Sequence, residues 1–249
     1  WVAQSFYYEA IFNYLSGDYK KTLQKSDTAE IWYPINNYYG KASTHNLKGL
    51  VYTNTDNIID AIKEYQISLS FAKNTDNLHA ISNPNHNIGI LYQNLKQFDE
   101  AKKYFLKALK VRYQIKDSTI IYQSYLSVGG IYNLLKVKDS AMIYLTKIIN
   151  PSNKKADLRT KAFAYNNIGL VYKSEENYKK AIENYNIAIS LHQKLKNDLG
   201  FAESYKNLAE AYQQLENYKK SIESAKKTIF YGKKLKTREE IVDAYEIMA

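Results

Sequence analysis

The chain returns to the same residues every forty positions along most of its length. Tyrosines mark one phase of this repeat, at Tyr52, Tyr92, Tyr132, Tyr172 and Tyr212. A small residue stands three positions before each tyrosine, at Gly49, Gly89, Gly129, Gly169 and Ala209. Another stands nine positions after it, at Ala61, Ala101, Ala141, Ala181 and Ser221. A period of this length indicates stacked copies of one supersecondary unit, none of which buries its apolar face alone.

Within one repeat the apolar residues follow helical spacing on two successive segments. The first segment carries Ile88, Leu91, Tyr92 and Leu95, and the second carries Ala101, Phe105, Ala108 and Leu109. A break at Lys96 and Gln97 separates them, so each unit is predicted to be two antiparallel helices, A and then B. Glycine inside a helix costs about 1 kcal/mol relative to alanine. We therefore expect the repeated glycines to let helix B approach helix A, with the repeated alanine at the facing position.

These residues together resemble the tetratricopeptide repeat. The pattern is a small residue, a tyrosine three positions on, an alanine nine further on, and an aromatic four after that, as at Tyr65, Phe105 and Tyr185. The resemblance covers essentially the whole chain. The period exceeds the usual length of about 34 residues, so the chain is similar to the longer subtype of kinesin light chains and bacterial signalling regulators. Four residues depart from the pattern: Lys48, Lys138, Leu145 and Ala225.

The resemblance implies an all-α fold, an α-solenoid of antiparallel helix pairs wound into a right-handed superhelix, with the A helices on the concave face. We expect a single array over 1–249, with about five full repeats and a partial C-terminal one. A degenerate first repeat, 1–41, keeps the phase at Ala10, Asn13, Tyr19 and Thr22. The full repeats are predicted at 42–81, 82–121, 122–161, 162–201 and 202–241, followed by a truncated helix A at 242–249.

The three prolines test these helix bounds. Pro34 and Pro151 are predicted to fall between helices. Pro84 falls early in an A helix, so either that helix starts late, capped by Ser82 or Asn83, or Pro84 kinks it.

The ends and the composition leave the compartment open. The chain begins at Trp1, which predicts a segment removed upstream, and it stops within a repeat at Ala249, which predicts either a longer parent protein or an uncapped terminal helix that docks on another chain. There is no cysteine, so disulfides and thiolate metal sites are excluded. Either the cytoplasm or a bacterial periplasm is compatible with this, and no membrane-spanning stretch is visible in the sequence.

The formal net charge is +10, which raises the question of nucleic acid. Lysine supplies nearly all of the positive charge, and the only arginines are Arg112, Arg159 and Arg238. Arginine is the residue that reads phosphates and bases bidentately. The helix B lysines are therefore interpreted as a solvated face, with an acidic partner as the alternative: Lys102, Lys103, Lys179, Lys180, Lys219 and Lys220.

A polar ladder on the A helices is the candidate site. In tetratricopeptide repeats the ligand-facing positions lie just before the small residue, and again four or five positions after it. The predicted peptide-binding groove therefore comprises Asn46, Asn87, Gln93, Asn133, Asn166, Asn167, Lys173, Lys206, Asn207 and Gln213. A carboxamide donates and accepts at once, as a peptide backbone requires. The alternative is that these asparagines only solvate the inner face or bridge neighbouring repeats.

Catalytic residues, metal ligands and cofactor motifs are not recognisable. The histidines His45, His79, His86 and His192 show no ligand spacing, and an approach of His45 to His86 would lack carboxylates. No enzymatic activity, metal or cofactor is therefore expected.

The sequence favours recognition of a protein or peptide by the concave groove. The resemblance implies the sensor or interaction segment of a larger bacterial signalling or transcription-regulatory protein. Two alternatives stay open: a self-association scaffold, forming a homo-oligomer through the free C-terminal helix, and a nucleic-acid-binding helical repeat that uses the lysine excess.

Overall fold

The computed structural model of the protein describes residues 1–150, 155–236 and 239–248, and of Glu239 and Glu240 only the backbone. These residues confirm the all-α prediction and contain no strand. Thirteen helices follow one another within the described ranges: α1 (Val2–Leu15), α2 (Tyr19–Trp32), α3 (Tyr38–Asn54), α4 (Ile58–Ala72), α5 (Leu78–Asn94), α6 (Phe98–Ile115), α7 (Ser118–Leu134), α8 (Lys138–Ile149), α9 (Leu158–Ser174), α10 (Tyr178–Leu195), α11 (Asp198–Gln214), α12 (Tyr218–Leu235) and α13 (Glu239–Met248).

Each odd-numbered helix packs on the even-numbered helix that follows it, so the odd helices are the A helices and the even ones are the B helices. The chain divides into two compact units, Trp1–Asp117 and Ser118–Ala249. The first holds three helical hairpins, and the second holds three hairpins and the additional A helix α13. The A helices α3, α5, α7, α9 and α11 each begin four residues before the repeat start that we assigned from the sequence.

Every A helix passes into its B helix through the same three-residue turn. The residue two positions before helix B has a left-handed backbone, as at Asp56, Lys96 and Glu176. The next residue donates its N–H back to helix A: to the carbonyl of Asn13 in the first hairpin, and to that of the repeat tyrosine in the others, as from Asn57 to Tyr52 at 2.9 Å. This pair of features is the Schellman motif. Where that next residue is Asn57, Asn177 or Asn217, its side chain also accepts an N–H of the first turn of helix B and caps it.

The repeated glycines lie under a large side chain of helix B, not under the alanine that we expected. A Cβ built on Gly49 would come within 2.5 Å of the Tyr65 ring, and one on Gly89 within 2.6 Å of Phe105. The Gly129 position meets Leu145 in the same way. The prediction that the alanine faces the glycine was therefore wrong, because helix B turns its next buried position, four residues later, onto the glycine.

The core runs from one hairpin to the next through these same positions. Ala61 and Tyr65 of α4 pack with Ile88 and Leu91 of α5. Equivalent clusters join α8 to α9 and α10 to α11. The repeat tyrosines lie at the edge of these clusters and are half-buried. Within each unit, neighbouring hairpins therefore bury their apolar faces on each other, as the repeat predicts.

Pro84 lies inside α5, which begins at Leu78 and is capped by Asn77. The prediction of a late start at Ser82 or Asn83 was wrong, because the Asn77 side chain accepts the N–H groups of His79 and Ala80 and starts the helix earlier. Pro84 has no N–H to give to the carbonyl of Ala80. Pro34 lies between α2 and α3, as expected, whereas Pro151, Arg238 and Ala249 lie outside the described residues.

Candidate functional site

Carboxamides of successive A helices meet in pairs that we call rungs. In the first unit, Asn87 Nδ2 of α5 donates to Asn46 Oδ1 of α3 at 3.0 Å. In the second unit, Asn207 Nδ2 of α11 donates to Asn166 Oδ1 of α9 at 3.3 Å. Both pairs are forty-one residues apart. A rung therefore joins a residue of one A helix to the residue that lies one repeat and one position further along the chain.

The two rungs differ in exposure. Asn46 and Asn87 are half-buried. Asn166 and Asn207 are only 6% and 7% exposed. A carboxamide carries two N–H donors and one oxygen acceptor. The first rung thus has hydrogen-bonding groups accessible at the surface. The second rung is enclosed between α9 and α11 and holds these two helices together.

A cavity of about 100 Å³ opens beside the first rung. Three A helices, α1, α3 and α5, supply most of its wall, and Ser68 comes from α4. Tyr7, Tyr39, Ser43, Asn46 and Asn83 bring hydroxyl and amide groups to it, with Ala42, Ala80 and Pro84 as apolar wall. Burial and the neighbouring Tyr39 raise the pKa of Tyr7 to about 12, so its hydroxyl remains a donor at neutral pH. The cavity can take a small group that hydrogen-bonds and carries no charge.

The predicted lysines of the second unit are tied to the next A helix. Lys173 of α9 pairs with Glu210 of α11. Lys206 of α11 pairs with Asp243 of α13 at 2.9 Å. Lys138, where the sequence pattern expects an aromatic, pairs with Glu175 at 3.0 Å. These pairs recur thirty-seven residues apart and brace successive hairpins, at the low energies that half-exposed ion pairs provide.

The other predicted groove residues are half-buried, and two of them make hydrogen bonds other than rungs. Asn133 Oδ1 accepts a hydrogen bond from Ser174 Oγ at 3.2 Å. Asn167 Nδ2 donates to the Phe163 carbonyl of its own helix at 2.9 Å. Gln93 and Gln213 lie one position after the repeat tyrosine and are also half-buried. The structure thus joins Asn46 with Asn87 and Asn166 with Asn207, and leaves the four other carboxamides outside these pairs.

A cluster of charged residues lies in the first unit, and it was not predicted from the sequence. His45 Nδ1 lies 2.6 Å from Glu64 Oε2, and its Nε2 lies 3.2 Å from Glu30 Oε1. Lys48 contacts Glu30 at 2.7 Å and Asp27 at 2.6 Å. The expectation that the histidines lack carboxylates was therefore wrong for His45. Within the described residues, no group of three or more acidic, histidine or cysteine side chains is arranged to hold a metal ion.

His45, Lys48 and Glu30 favour each other's charged forms, since the pKa of each cation is raised and that of Glu30 is lowered. The hydrogen bond from His45 holds the pKa of Glu30 at about 2, with Lys48 acting in the same direction. Burial acts to lower the pKa of His45, but the hydrogen bonds to Glu30 and Glu64 outweigh it and the pKa is raised. His45 and Lys48 are 5% and 7% exposed. Two buried cations of α3 thus bind carboxylates of α2 and α4 that reach toward the surface, and the cluster braces these three helices.

His86 and His192 are uncharged by contrast. Burial, with Arg112 nearby, lowers the pKa of His86 to about 3. Burial, with Arg159 nearby, also lowers the pKa of His192. His192 Nδ1 lies 3.2 Å from Asn197 Nδ2, which has only donors to offer, so His192 carries its proton on Nε2. Both histidines act as packing residues, His86 against Phe105 and His192 against Phe163 and Phe201.

A family model of the tetratricopeptide repeat matches residues 40–147 and 160–229. The chain therefore belongs to the tetratricopeptide repeat family. No curated protein matches it by sequence.

Three solved structures illustrate the fold it shares. A signal transduction ATPase with numerous domains and a tetratricopeptide repeat sensor, from Pyrococcus horikoshii, superposes with a TM-score of 0.80 at 17% identity, over 99% of this chain and 38% of that one. A Rap protein complexed with competence and sporulation factor gives 0.76 at 15% identity, over 98% and 67%. A tetratricopeptide repeat protein from Parabacteroides merdae gives 0.67 at 15% identity, over 100% and 94%. At these identities the likeness shows the fold alone.

The described residues contain no helix that combines the length and the apolar character needed to span a membrane.

Proposed function

We propose that this chain is a protein- or peptide-binding scaffold that holds its partner on the A helices and acts by binding, without catalysis. The observation that carries the proposal is the Asn46–Asn87 rung beside the cavity of the first unit. The family in which the chain lies is a family of interaction scaffolds, which agrees with the proposal.

The rung is suited to a peptide backbone. Its internal hydrogen bond uses one N–H of Asn87 and the oxygen of Asn46. The NH₂ group of Asn46 can donate to a partner, and the side-chain oxygen of Asn87 can accept from it. These are the groups that match the C=O and N–H of a bound segment. A small uncharged side chain of that segment would enter the cavity beside Tyr39.

The second unit carries candidate contact residues of its own. The candidates are the predicted residues that are at least half-buried on its A helices: Asn133, Asn166, Asn167, Lys173, Lys206, Asn207 and Gln213. Gln93 of α5 belongs with the first rung. Because Asn166 and Asn207 are nearly enclosed, we assign their main effect to stability and the first contact to Asn46 and Asn87.

We further propose that the chain serves as the sensor or interaction segment of a larger bacterial signalling or transcription-regulatory protein. Two solved neighbours support this: one is a signal transduction protein with a tetratricopeptide repeat sensor, and the other is a Rap protein in complex with a factor. The chain spans 38% of the first of these.

Site-specific photocrosslinking in the native host tests the proposal. A photoreactive benzoylphenylalanine replaces Tyr39, which lines the cavity and is 47% exposed. The matched control replaces Ile59 of α4, a B-helix residue that is 81% exposed. We expect discrete polypeptide adducts from position 39 that position 59 does not give, and fewer of them when Asn87→Ala is added.

Three outcomes would contradict the proposal. The same adducts from both positions would show that the A helices have no special role, and no adduct from position 39 would show that nothing binds there. Adducts to nucleic acid, lost steeply as salt rises, would favour the lysine-rich alternative. Adducts between two copies of this chain would make the occupant a second copy and favour self-association.

A further inference from the structure

Lysine pairs recur every seven residues along α12. The pairs are Lys219–Lys220, Lys226–Lys227 and Lys233–Lys234. All six side chains are exposed, and Glu223 is the one acidic residue of this helix. No other described helix concentrates positive charge in this way, and α12 contains no arginine.

The spacing places the pairs on one side of the helix. Seven residues are close to two turns, so successive pairs drift by only about 20° around the axis. The pairs follow one another at about 10 Å along the helix, from a rise of about 1.5 Å per residue. They form two rows, with Glu223 and Phe230 between them. Phe230 is 61% exposed, which is unusual for an aromatic among lysines. We call these six lysines and Phe230 the lysine surface.

Most of these lysines make no ion pair within the part of the chain that the structure describes. Lys234 pairs with Asp198 at 2.7 Å, and Lys220 Nζ lies 5.4 Å from the centroid of the Tyr212 ring. Lys219, Lys226, Lys227 and Lys233 make no ion pair with a residue that the structure describes. Like charges one or two turns apart repel each other, which disfavours the helix slightly. An acidic partner would remove this repulsion.

A groove runs beside one lysine row. It has a volume of about 290 Å³ and lies between α11 and α12. Tyr205, Leu208 and Tyr212 form its apolar wall, Lys220 and Lys227 stand at its edge, and Glu223 and Ser224 complete the lining, so carboxylates of a partner would have to lie toward the lysines and away from Glu223. The lysine surface therefore lies beside a groove that has an apolar wall, and both belong to the second unit.

We propose that the lysine surface docks an acidic amphipathic helix of a partner protein. The seven-residue period is that of a helix surface, so carboxylates one heptad apart on the partner would meet both lysine rows. An apolar side chain of that helix would enter the groove against Leu208 and Tyr212. Nucleic acid fits less well, because arginine, the residue that pairs bidentately with phosphates and bases, is missing from α12. A lipid surface would find a single exposed aromatic and no apolar face to insert.

Binding of designed peptides to the full chain tests this inference. The probe is a fluorescent 21-residue helix of alanine and glutamate with one leucine per heptad, its glutamates flanking the leucines. The control peptide has the same composition with the glutamates spread evenly around the helix. Fluorescence anisotropy at 150 mM salt is expected to give at least tenfold tighter binding of the first peptide. Equal affinities would overturn the proposal, because binding would then depend on charge alone.

Matched protein variants locate the contact. Lys219, Lys226 and Lys233→Glu should abolish binding, and Phe230→Ala should weaken it several-fold. Lys179, Lys180 and Lys194→Glu in α10 make the same change in net charge and should leave affinity within about twofold. Circular dichroism verifies that each variant is folded. Equal losses from both triple variants would overturn the proposal, as would a stronger α12-dependent affinity for phosphatidylserine vesicles or for duplex DNA. None of these results depends on the A-helix groove.

Discussion

Gly169 of α9 lies directly beneath the ring of Tyr185 in α10, with no room for a β-carbon between them. In the next hairpin the corresponding pair is Ala209 and Ala225, both fully buried. There the large residue of helix B is lost and the small residue of helix A has gained a methyl group. Ser221 Oγ also donates to the Ala209 carbonyl at 2.9 Å, which ties the two helices at the same level. The two positions behave as a coupled pair whose combined volume is limited by the distance between the helices.

Exchange of this pair should show the coupling. Gly169→Ala alone should destabilise the chain by about 1–3 kcal/mol through overpacking. Tyr185→Ala alone should cost about 3–5 kcal/mol through the cavity that it leaves. The loss in the double variant should be smaller than the sum of the two single losses by at least about 1 kcal/mol, because the methyl group then fills space that the ring has vacated. Urea unfolding monitored by circular dichroism measures each value, and strict additivity would refute the coupling.

The His45 cluster should stabilise the first unit within a limited pH range. The pKa of His45 is raised in the folded chain, so its contribution is complete below the ordinary pKa of about 6.5 and is lost as pH rises through the folded pKa. The pKa of Glu30 is lowered to about 2, so its contribution is present above about 4.5 and is lost as pH falls toward 2. The advantage of wild type over His45→Gln should therefore be greatest between about pH 4.5 and 6.5.

Unfolding of the two proteins at a series of pH values measures this advantage. Nuclear magnetic resonance titration of the His45 ring gives its pKa independently. The advantage of His45 over Gln should be smaller when both proteins also carry Glu30→Gln, because this removes one of the two carboxylates that face His45. Glu9→Gln on α1, added to both proteins in the same way, should leave it unchanged. A constant difference between wild type and His45→Gln from pH 4 to 9 would contradict the prediction.

Removal of a buried rung should reveal its structural role. Asn207→Ala takes away the donor to Asn166, which is 6% exposed and would be left with an unsatisfied oxygen. We expect a loss of about 1–3 kcal/mol in the free energy of unfolding. Gln213→Ala, at a half-buried position on the same helix, should change it by less than about 0.5 kcal/mol. If the two variants unfold alike, the rung contributes nothing to the stacking of α9 and α11.

The left-handed residue of each turn offers a stabilising substitution. Glu176 has a φ of 56°, where a residue with a β-carbon is strained. Glycine already occupies the equivalent place in the first hairpin, where Gly17 has a φ of 80°. Glu176→Gly should therefore raise stability by about 0.5–1 kcal/mol, seen as a higher midpoint of thermal unfolding. Glu175→Gly, one residue earlier and outside the left-handed region, serves as the control and should not raise it.

The sequence was sufficient for the fold because its signal is repeated. The tyrosine position and the small-residue position recur in several hairpins, so the periodicity indicates where the helices lie to within a few residues. The rungs were harder to predict. Asn46 and Asn87 are forty-one residues apart and so occupy different phases of a forty-residue repeat, which gives no indication that their side chains meet.

The His45 cluster was missed because its members come from three helices. Glu30, His45 and Glu64 are separated by fifteen and nineteen residues, a spacing that no local motif describes. One signal was present. Lys48 stands at a position where the repeat is otherwise apolar, and a lysine that is buried requires acidic partners. A lysine at a position that is otherwise apolar thus indicated buried charge, but it did not identify Glu30, His45 or Glu64 as the partners.

The three-residue turn inside each hairpin has a consequence for how such a chain changes in length. The residues between helices A and B number three in every hairpin, at 16–18, 55–57, 95–97, 135–137, 175–177 and 215–217. Between hairpins the number varies, with five at 33–37 and 73–77 but two at 196–197. One extra residue in the A–B turn would disrupt the Schellman motif, in which the residue before helix B donates its N–H to helix A, as from Asn57 to Tyr52, and would change how helix B packs on helix A. Insertions and deletions, natural or engineered, should therefore survive between hairpins and fail within them.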